Sequence, residues 1–320
     1  MTASVMNIFC IIVTYNGSKW IRRTLDSLSD GEQELPIRVI AVDNGSTDDT
    51  LSIIKKEYPD VVVIQNGKNL GFGKANNIGI ECAYKLGASH FLLLNQDASM
   101  APGSVKKLIE VQLSGGLPLV SPVHWNGSGD RLDSSFCLFV SENPGINDLL
   151  SDLLKGTVKD RYKVRFVNAA CWLLPKETIE KVGGFDPIYF HYGEDDDFCD
   201  RLSYHGGSPY IVPDAKMFHD RVGKGNSEMW NKQKLLVALL QMYGVRPVNR
   251  MGRIKTHLRL LKKAAMLSLT GKFKDASAII AAERRFLKKV PMLKSHAEAN
   301  RRPGPNWLSL NTEEVTPGKS

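Results

Sequence analysis

"FLLLNQDASM", at residues 91–100, sets four apolar residues directly before three polar ones. An uninterrupted apolar run such as 91–94 is typical of a strand that is buried on both faces of a parallel sheet. Asn95, Gln96 and Asp97 would then follow the carboxyl end of that strand. The stretch therefore predicts that a buried strand delivers a carboxylate to the rim of a sheet.

Strand and helix patterns alternate around this stretch. Apolar runs that predict further buried strands occur at 8–15, 38–44 and 61–66. Helical patterns follow these runs at 18–29, 46–58 and 73–87. The alternation predicts an α/β fold in which helices flank a mostly parallel sheet, and ligands of such sheets bind outside the carboxyl ends of the strands.

The second half of the chain is less regular. Turn-forming residues dominate 120–165, which predicts irregular structure there, whereas 164–174 has the pattern of a strand. Beyond residue 228 the pattern changes to basic amphipathic helices. The expected organisation is a main domain over 1–228, a basic helical region over 229–300 and a disordered tail over 301–320.

Charge is unevenly distributed along the chain. Residues 1–220 carry 21 lysines and arginines against 28 acidic residues, whereas residues 221–320 carry 21 against 6. Such a basic region could face an anionic membrane or nucleic acid, but it lacks the interleaved aromatic residues of a nucleic-acid-binding surface. We therefore predict no nucleic-acid partner.

An apolar stripe within this basic region leaves two alternatives open. Ile254, Leu258, Leu261 and Ala265 recur at helical spacing, with lysines and arginines around them. One alternative is a solvated helical bundle, and the other is peripheral attachment to anionic lipid on the inner face of the cytoplasmic membrane. The sequence does not favour one over the other.

The cysteines and the N-terminal apolar run predict a cytoplasmic protein. Five scattered cysteines without metal-type spacing indicate reduced thiols. The run at 8–15 lacks a basic leader, so we interpret it as a strand and not as a signal peptide. No stretch is apolar for long enough to cross a bilayer.

Two groups of residues suggest metal binding and acid–base chemistry. Asp97 is the candidate ligand for Mn²⁺ or Mg²⁺ held with a diphosphate, Asn95 is a weaker one, and His219 could complete the coordination. Asp and Asn are also common in turns, and a lone histidine is more often structural. The four consecutive acids at 194–197 repel one another, which is one way to tune a general base towards neutral pH; the helix dipole accounts for only part of the cluster.

Several motifs in series resemble glycosyltransferase family 2. They are "VTYN", "VDNGSTDDT", "NLGFGKANNIGI", "LLLNQDA", "GGFDPIYFHYGEDDDFCDRL" and a later histidine, and they cover about residues 7–222. The series is most similar to the rhamnosyltransferase-like branch of bacterial surface-polysaccharide enzymes. It implies a GT-A fold, with a nucleotide-sugar half at about 1–118 and an acceptor half at about 119–228.

The resemblance implies roles for the motif residues. Asp195, with Glu194 beside it, matches the acid that deprotonates the acceptor hydroxyl, and Asp97 matches the metal-binding acid of the DxD element. Asn95 stands where that element has its first acid, and His219 matches a metal-binding histidine of some members. The residues that would line the donor are Thr14, Tyr15, Asn16, Asp43, Asn44, Gly45, Asn69, Gly71, Phe72, Gly73, Asn76, Asn95 and Gln96. Trp172 is a candidate for stacking on a sugar, with a buried core aromatic as the alternative.

The activity that the resemblance implies is inverting, metal-dependent and non-processive transfer of one sugar to a glycan or lipid-linked acceptor in cell-surface polysaccharide synthesis. The branch favours dTDP-rhamnose as donor, with a UDP-hexose as the alternative, and the "QxxRW" element of processive synthases is absent. Two other classes stay open. A nucleotidyltransferase would need a glycine-rich basic signature near the first strand, and a non-catalytic nucleotide-sugar-binding protein would not need the acid cluster.

Overall fold

The computed structural model describes residues 6–141, 144–221 and 225–310, and within these ranges a nine-stranded sheet carries helices on its faces. The strands are β1 (Ile8–Thr14), β2 (Ile37–Asp43), β3 (Val62–Gln65), β4 (His90–Leu94), β5 (Ala98–Met100), β6 (Leu119–Asn126), β7 (Tyr162–Lys163), β8 (Cys171–Pro175) and β9 (Pro209–His219). The helices are α1 (Ile21–Asp26), α2 (Asp30–Gln33), α3 (Thr50–Glu57), α4 (Phe72–Lys85), α5 (Ser104–Gly115), α6 (Ser134–Ser141), α7 (Pro144–Lys155), α8 (Lys176–Val182), α9 (Glu194–Tyr204), α10 (Gly225–Gln241), α11 (Arg250–Leu269), α12 (Phe273–Leu287) and α13 (Val290–Arg301).

The sheet order is β3-β2-β1-β4-β8-β6-β9-β5, and β7 also pairs with β9. The pairings make β1, β2, β3, β4, β6 and β9 run in one direction, whereas β5, β7 and β8 run in the opposite direction. The α/β architecture with a predominantly parallel sheet is therefore confirmed.

The central strands are apolar on both sides because helices cover both faces of the sheet. In β1, Phe9 and Ile11 pack into the core beneath α4, α8 and α9. Ile8, Cys10 and Ile12 pack into the opposite core beneath α1, α3 and α5. All five residues are at most 2% exposed, so β1 is enclosed by the core on both faces. The position of its carboxyl end, at the rim of the sheet, is therefore well defined.

The register brings the polar strand ends together. Thr14 pairs with Asp43 and Asp43 with Gln65, so β1, β2 and β3 end at one level. On the other side of β4, the antiparallel pairing of β5 with β9 sets Ala98 opposite His219. The rim predicted from the strand ends thus exists, and a second strand pair extends it to His219.

Two expectations from the sequence are wrong. The segment 120–165 is not irregular, since it contains most of β6 together with α6, α7 and β7. Its turn formers separate elements that long-range contacts stabilise: β6 pairs along its length with β9, and Phe136 and Leu149 are buried in the core.

The second difference concerns the C-terminal end. Residues 301–310 of the expected disordered tail pack on the body of the protein, and residues 311–320 lie outside the described ranges. The carbonyl of Asn306 accepts a hydrogen bond from the N–H of Gly184 at 2.8 Å, and Leu308 lies against the main core. Contacts with distant residues, which composition does not reveal, fix this segment.

The basic C-terminal helices are attached to the main body. Leu236, Leu239 and Leu240 of α10 and Phe286 of α12 share a core with Ile188 and Tyr189 from the loop before α9. None of the helices in the described residues is long and apolar enough to span a membrane.

Candidate active site at the rim of the sheet

The turns after β1 and β2 form one hydrogen-bonded unit. The buried Asp43 carboxylate accepts hydrogen bonds from the Thr14 hydroxyl at 3.0 Å and from the N–H groups of Gly45 and Ser46 at 3.0 and 2.9 Å. Asn16 has a left-handed backbone with φ 49°, and its Oδ1 accepts a hydrogen bond from the N–H of Thr47 at 2.8 Å. These contacts hold the two turns in place without a bound ligand. Asp43 makes most of them and therefore determines the conformation of this part of the rim.

Gln96 connects the turn after β1 to the end of β4. Its Oε1 accepts the N–H of Tyr15 at 2.9 Å, and its Nε2 donates to the carbonyl of Tyr15 at 3.0 Å. The Tyr15 side chain itself is 47% exposed at the mouth of the rim. Asn95 lies at the end of β4, where its N–H donates to the carbonyl of Ala170 at 3.0 Å.

The loop before α4 approaches the rim from the other side. The Oδ1 of Asn69 accepts a hydrogen bond from the N–H of Gly71 at 2.9 Å, and Asn44 is buried against the same loop. Gly71 has φ 85°, and a Cβ there would lie 2.0 Å from the carbonyl oxygen of Phe190. Only glycine tolerates both conditions, which explains its place in this motif.

At the start of α4, residues that are predicted to line the nucleotide sugar lie close to the acid cluster at 194–197. A Cβ at Gly73 would lie 2.9 Å from the Cβ of Phe185 and 3.6 Å from that of Glu194. Phe72 meets the Phe185 ring edge to face at 5.8 Å, and Asn76 is buried one turn further along the helix. Two motifs that are about 120 residues apart in sequence, by the numbering of Gly73 and Glu194, are therefore neighbours in space.

Asp97 and His219 form the candidate metal pair. The Nε2 of His219 lies 3.2 Å from Oδ1 of Asp97, and the pairing of β5 with β9 holds the two in place. Burial opposes ionisation of Asp97, but the contact with His219 and the charges of His219 and Arg221 lower its pKa overall. The Asp97 side chain is 21% exposed, whereas that of His219 is 2% exposed. The Asp97 carboxylate is therefore the member of the pair that solvent or a ligand can reach.

Asp133 lies behind His219. Its Oδ2 is 3.9 Å from Nδ1 of His219 and accepts a hydrogen bond from Nε of Arg221 at 2.8 Å. Its Oδ1 accepts the N–H of Phe136 at 2.8 Å, which caps the start of α6. Asp133 was not among the site residues predicted from the sequence, although an Asp directly before "SSF" is a helix N-cap signal that could have identified it.

An imidazole nitrogen and a carboxylate oxygen this close need a proton or a cation between them. In the protein alone, a proton on Nε2 makes this contact a hydrogen bond to Asp97. If a cation took the place of that proton, the ring proton would lie on Nδ1, facing Asp133. Nδ1 of His219 has no hydrogen-bond partner among the described residues. Histidines that bind metal ions in proteins commonly use one ring nitrogen for the metal and direct the other towards a carboxylate, as His219 does with Asp97 on one side and Asp133 on the other.

The acid cluster separates into residues with different environments. Glu194 is 5% exposed, and burial together with the nearby Asp195 raises its pKa to about 8. Burial also raises the pKa of Asp195, whose carboxylate accepts hydrogen bonds from the backbone N–H groups of Asp196 and Ala169. Since Glu194 is largely protonated near neutral pH, Asp195 is the better placed of the two to accept a proton.

Asp197 and Arg201 form a buried ion pair. The fully buried guanidinium donates from Nε to Asp197 at 2.7 Å and from its other nitrogens to the carbonyls of Val182 and Gly184 at 2.8 and 2.7 Å. This cation supports the loop that precedes the acid cluster.

Trp172 does not reach the rim. It is fully buried, its Nε1 donates to the carbonyl of Val167 at 3.2 Å, and its ring lies against Phe185 and Phe198. The assignment as a sugar-stacking residue is therefore wrong in this structure, and the alternative of a buried aromatic holds. The alternation of β8 turns this side chain into the core.

The raised pKa of Glu194 predicts a dependence of stability on pH. The raised pKa keeps a proton on Glu194 of the folded protein up to about pH 8, whereas the unfolded chain loses it near pH 4.5. The free energy of unfolding should therefore fall as pH rises between these values, by at most about 1.4 kcal/mol per pH unit from this group.

We expect Glu194→Gln to remove that decline, so that the variant gains stability relative to wild type between about pH 5 and about pH 8. Urea unfolding at a series of pH values measures this, and the exposed Glu57→Gln serves as the control. If the free energies of unfolding of wild type and Glu194→Gln changed with pH in parallel, Glu194 would be ionised in the folded protein.

The residues that resemble metal ligands do not form a complete cage. Within the ranges that the structure describes, no group of three or more His, Cys, Asp and Glu side chains is arranged to hold a metal ion. Asp97 and His219 supply one carboxylate and one imidazole. Mg²⁺ commonly takes only one or two carboxylates and completes its coordination with phosphates and water.

Comparison with known proteins places these motifs in a family. Residues 9–183 match the family described as Glycosyl transferase family 2. The N-acetylglucosaminyl-diphospho-decaprenol L-rhamnosyltransferase of Mycobacterium tuberculosis is 29% identical over 237 residues, which are 66% of this chain and 75% of that protein. The dTDP-rhamnosyl transferase RfbF of Shigella flexneri is 29% identical over 213 residues, which are 67% of this chain and 69% of that protein.

Solved structures share the fold. TarS 1-349 of S. aureus in complex with UDP-GlcNAc has a TM-score of 0.54 at 18% identity, covering 92% of this chain and 88% of TarS 1-349. GalNAc-T7 with UDP, GalNAc and Mn²⁺ has a TM-score of 0.51 at 17% identity, covering 69% of this chain and 44% of that one. The chain belongs to glycosyl transferase family 2, has the GT-A fold and is a glycosyltransferase.

Proposed function

We propose that the protein is an inverting, metal-dependent, non-processive rhamnosyltransferase that acts on a lipid-linked saccharide in cell-surface polysaccharide synthesis. Two observations carry this proposal: Asp97 contacts His219 at the rim, and Gly73, among the residues predicted to line the donor, lies against Glu194 of the acid cluster. The similarity to two rhamnosyltransferases supports the choice of sugar.

The donor diphosphate would lie at the carboxyl ends of β1 and β4. Thr14, Tyr15 and Asn16, the turn at Asp43 to Gly45, and the loop from Asn69 to Gly73 would surround the nucleotide and the sugar. These segments are already tied together by hydrogen bonds, so binding would cost little reordering of the protein.

Asp97 and His219 would hold Mn²⁺ or Mg²⁺ with the diphosphate. The pair fits such an ion because an oxygen and a nitrogen donor face each other with the carboxylate open to the rim. When bound, the ion offsets the negative charge that develops on the leaving diphosphate. Asp133 would keep the His219 ring oriented from behind.

Asp195 would act as the general base. It would accept the proton of the acceptor hydroxyl while that oxygen attacks the anomeric carbon on the face opposite the leaving diphosphate. A single displacement of this kind inverts the anomeric configuration. Backbone N–H groups hold the carboxylate in place, and its raised pKa suits proton transfer near neutral pH.

The donor is tested by supplying purified protein with a panel of nucleotide sugars, with and without Mn²⁺ or Mg²⁺. Release of free nucleoside diphosphate is measured for each donor. We expect metal-dependent release from dTDP-rhamnose above that from any UDP-hexose. Release of nucleoside diphosphate from a UDP-hexose alone would replace rhamnose as the donor sugar. A nucleotide-induced thermal shift with no such release from any donor, with or without an acceptor, would favour a non-catalytic binding protein.

The C-terminal region would attach the enzyme to anionic lipid close to its acceptor. Ile254, Leu258 and Leu261 on α11 are 43%, 61% and 52% exposed, so the predicted apolar stripe faces solvent and not the bundle. Lys255 and Lys262 are exposed beside it. An apolar stripe with a basic border is the pattern of helices that lie in a membrane interface.

Replacing Leu258 and Leu261 by serine is expected to weaken binding to vesicles that contain anionic lipid by about tenfold, because apolar area no longer enters the interface. Co-sedimentation measures the effect, with the exposed Leu154→Ser on α7 as the control. Wild-type binding that is independent of anionic lipid and of salt would leave the solvated bundle as the explanation.

A further inference from the structure

The loop between Phe185 and Glu194, which leads into the acid cluster, is tied at its start to α13. The buried carboxylate of Asp186 lies 2.5 Å from Nδ1 of His296 and accepts a hydrogen bond from Nδ2 of Asn300 at 2.8 Å. A buried carboxylate is costly to leave without partners, so these two contacts fix the loop to the helix.

Trp307 supports both partners of Asp186. Its ring stacks on that of His296 with 4.4 Å between the ring centroids, and its Nε1 donates to Oδ1 of Asn300 at 2.7 Å. The carbonyl of Asn300 also lies 3.0 Å from Nε2 of His205, directly after α9. We call His296, Asn300 and Trp307 the clasp, because they hold Asp186 from one side.

The C-terminal helices also hold the rest of the loop. Nζ of Lys289, between α12 and α13, donates to the carbonyl of Ile188 at 2.6 Å. A Cβ at Gly193 would lie 2.5 Å from Cγ1 of Val237 on α10. Contacts with these helices therefore extend from Asp186 to the residue that precedes Glu194.

The end of the loop has a backbone conformation that requires such support. Tyr192 has φ 68° and Gly193 has φ 88°. A non-glycine residue in the left-handed region is strained and persists only where its surroundings hold it. Glu194 and Asp195 follow directly as the first residues of α9, so the position of the Asp195 carboxylate depends on this backbone.

We propose that His296 is a positioning residue for sugar transfer, which acts through Asp186 on the loop that places Asp195 at the acceptor hydroxyl. The inference rests on the proposed role of Asp195 as the base. It makes the C-terminal helices part of the transferase site, although the family match ends at residue 183 and includes none of the clasp.

His296→Ala is expected to lower kcat at least about tenfold, because a small displacement of a catalytic group is costly in rate. The KM for dTDP-rhamnose and the calorimetric Kd for dTDP should stay within about threefold, since hydrogen bonds of their own hold the turns at 14–16 and 43–45. His296→Asn keeps a nitrogen donor close to the position of Nδ1 and should recover most of the rate. A lipid-linked saccharide is the acceptor, and rates are expressed per dTDP-binding site so that unfolded molecules do not count.

His257→Ala is the matched control. Nδ1 of His257, on α11, lies 3.0 Å from the carboxylate of Glu283 on α12, and the two histidine side chains are similarly buried, at 23% exposed for His257 and 15% for His296. This control should lose stability to a comparable extent and keep kcat within about twofold of wild type. An unchanged kcat in His296→Ala overturns the proposal, and so does an equal loss of kcat in both variants, because that would indicate a general effect of lower stability.

Hydrogen exchange keeps the proposal testable if no sugar transfer is found. In His296→Ala the N–H groups of 188–196 should exchange at least about tenfold faster than in wild type, and His257→Ala should leave them unchanged. Faster exchange together with no transfer by wild type would reject the proposed function and retain the loop as one that the clasp holds.

Two further results overturn the proposal. Unchanged exchange in His296→Ala would show that the clasp does not hold the loop. Slow transfer by His296→Ala beside normal turnover of Asp195→Asn would show that Asp195 is not the group that the loop positions, and it would also reject Asp195 as the base.

Discussion

The Asp195→Asn variant is expected to transfer sugar about 10²–10⁴-fold more slowly than the wild-type enzyme, the range that a general base contributes. Asparagine keeps the shape of the side chain but cannot accept the proton of the acceptor hydroxyl. Donor binding should be unchanged, because Asp195 is not among the residues proposed to line the donor. Steady-state kinetics with saturating donor, together with a thermal shift by nucleotide, measures both quantities.

Asp196→Asn is the matched control for this variant. It changes the adjacent carboxylate, whose pKa burial and the neighbouring Asp195 raise to about 7. We expect its rate to stay within about twofold of wild type. A large loss in Asp196→Asn with normal turnover in Asp195→Asn would move the base by one residue.

The Asp97→Ala variant is expected to lose about 10³-fold or more in kcat, because several kcal/mol of charge stabilisation on the leaving diphosphate depend on the ion. The fold should persist, since the hydrogen bond between the carbonyl of Asp97 and the N–H of Asp220, at 2.8 Å, belongs to the backbone. Mn²⁺ binding in the presence of nucleotide, followed by electron paramagnetic resonance, should be weakened in parallel.

Asp214→Ala, an exposed carboxylate on β9, controls for a general change of charge. Wild-type activity in Asp97→Ala would contradict the assignment of this residue. So would a variant that is slow but responds to Mn²⁺ as wild type does.

The first half of the fold was predictable because its information is local. β1, β2 and β4 are apolar on both faces, so their runs are recognisable without any knowledge of their partners. The candidate site residues Asp43 and Asp97 were predictable for the same reason, since Asp43 ends β2 and Asp97 follows the end of β4. Their convergence needed only the rule that parallel strands end at one edge.

The remainder depends on contacts between distant segments. β6 contains Pro122 and His124, which weaken its strand pattern, and it is a strand because it pairs with β9. Asp133 lies in a stretch of turn formers, and its place behind His219 arises only when β6 and β9 come together. Trp172 shows the opposite error, because a motif position suggested the rim where strand alternation placed the residue in the core.

In the proposed reaction, sugar moves in one step from a nucleotide sugar at the rim to an acceptor held at Asp195. The most direct test is the anomeric configuration of the product, determined by nuclear magnetic resonance after transfer from dTDP-rhamnose to a lipid-linked saccharide acceptor. We expect a metal-dependent product whose anomeric configuration is opposite to that of the donor. A product with retained configuration, or one formed equally well in the presence of a metal chelator, would contradict it.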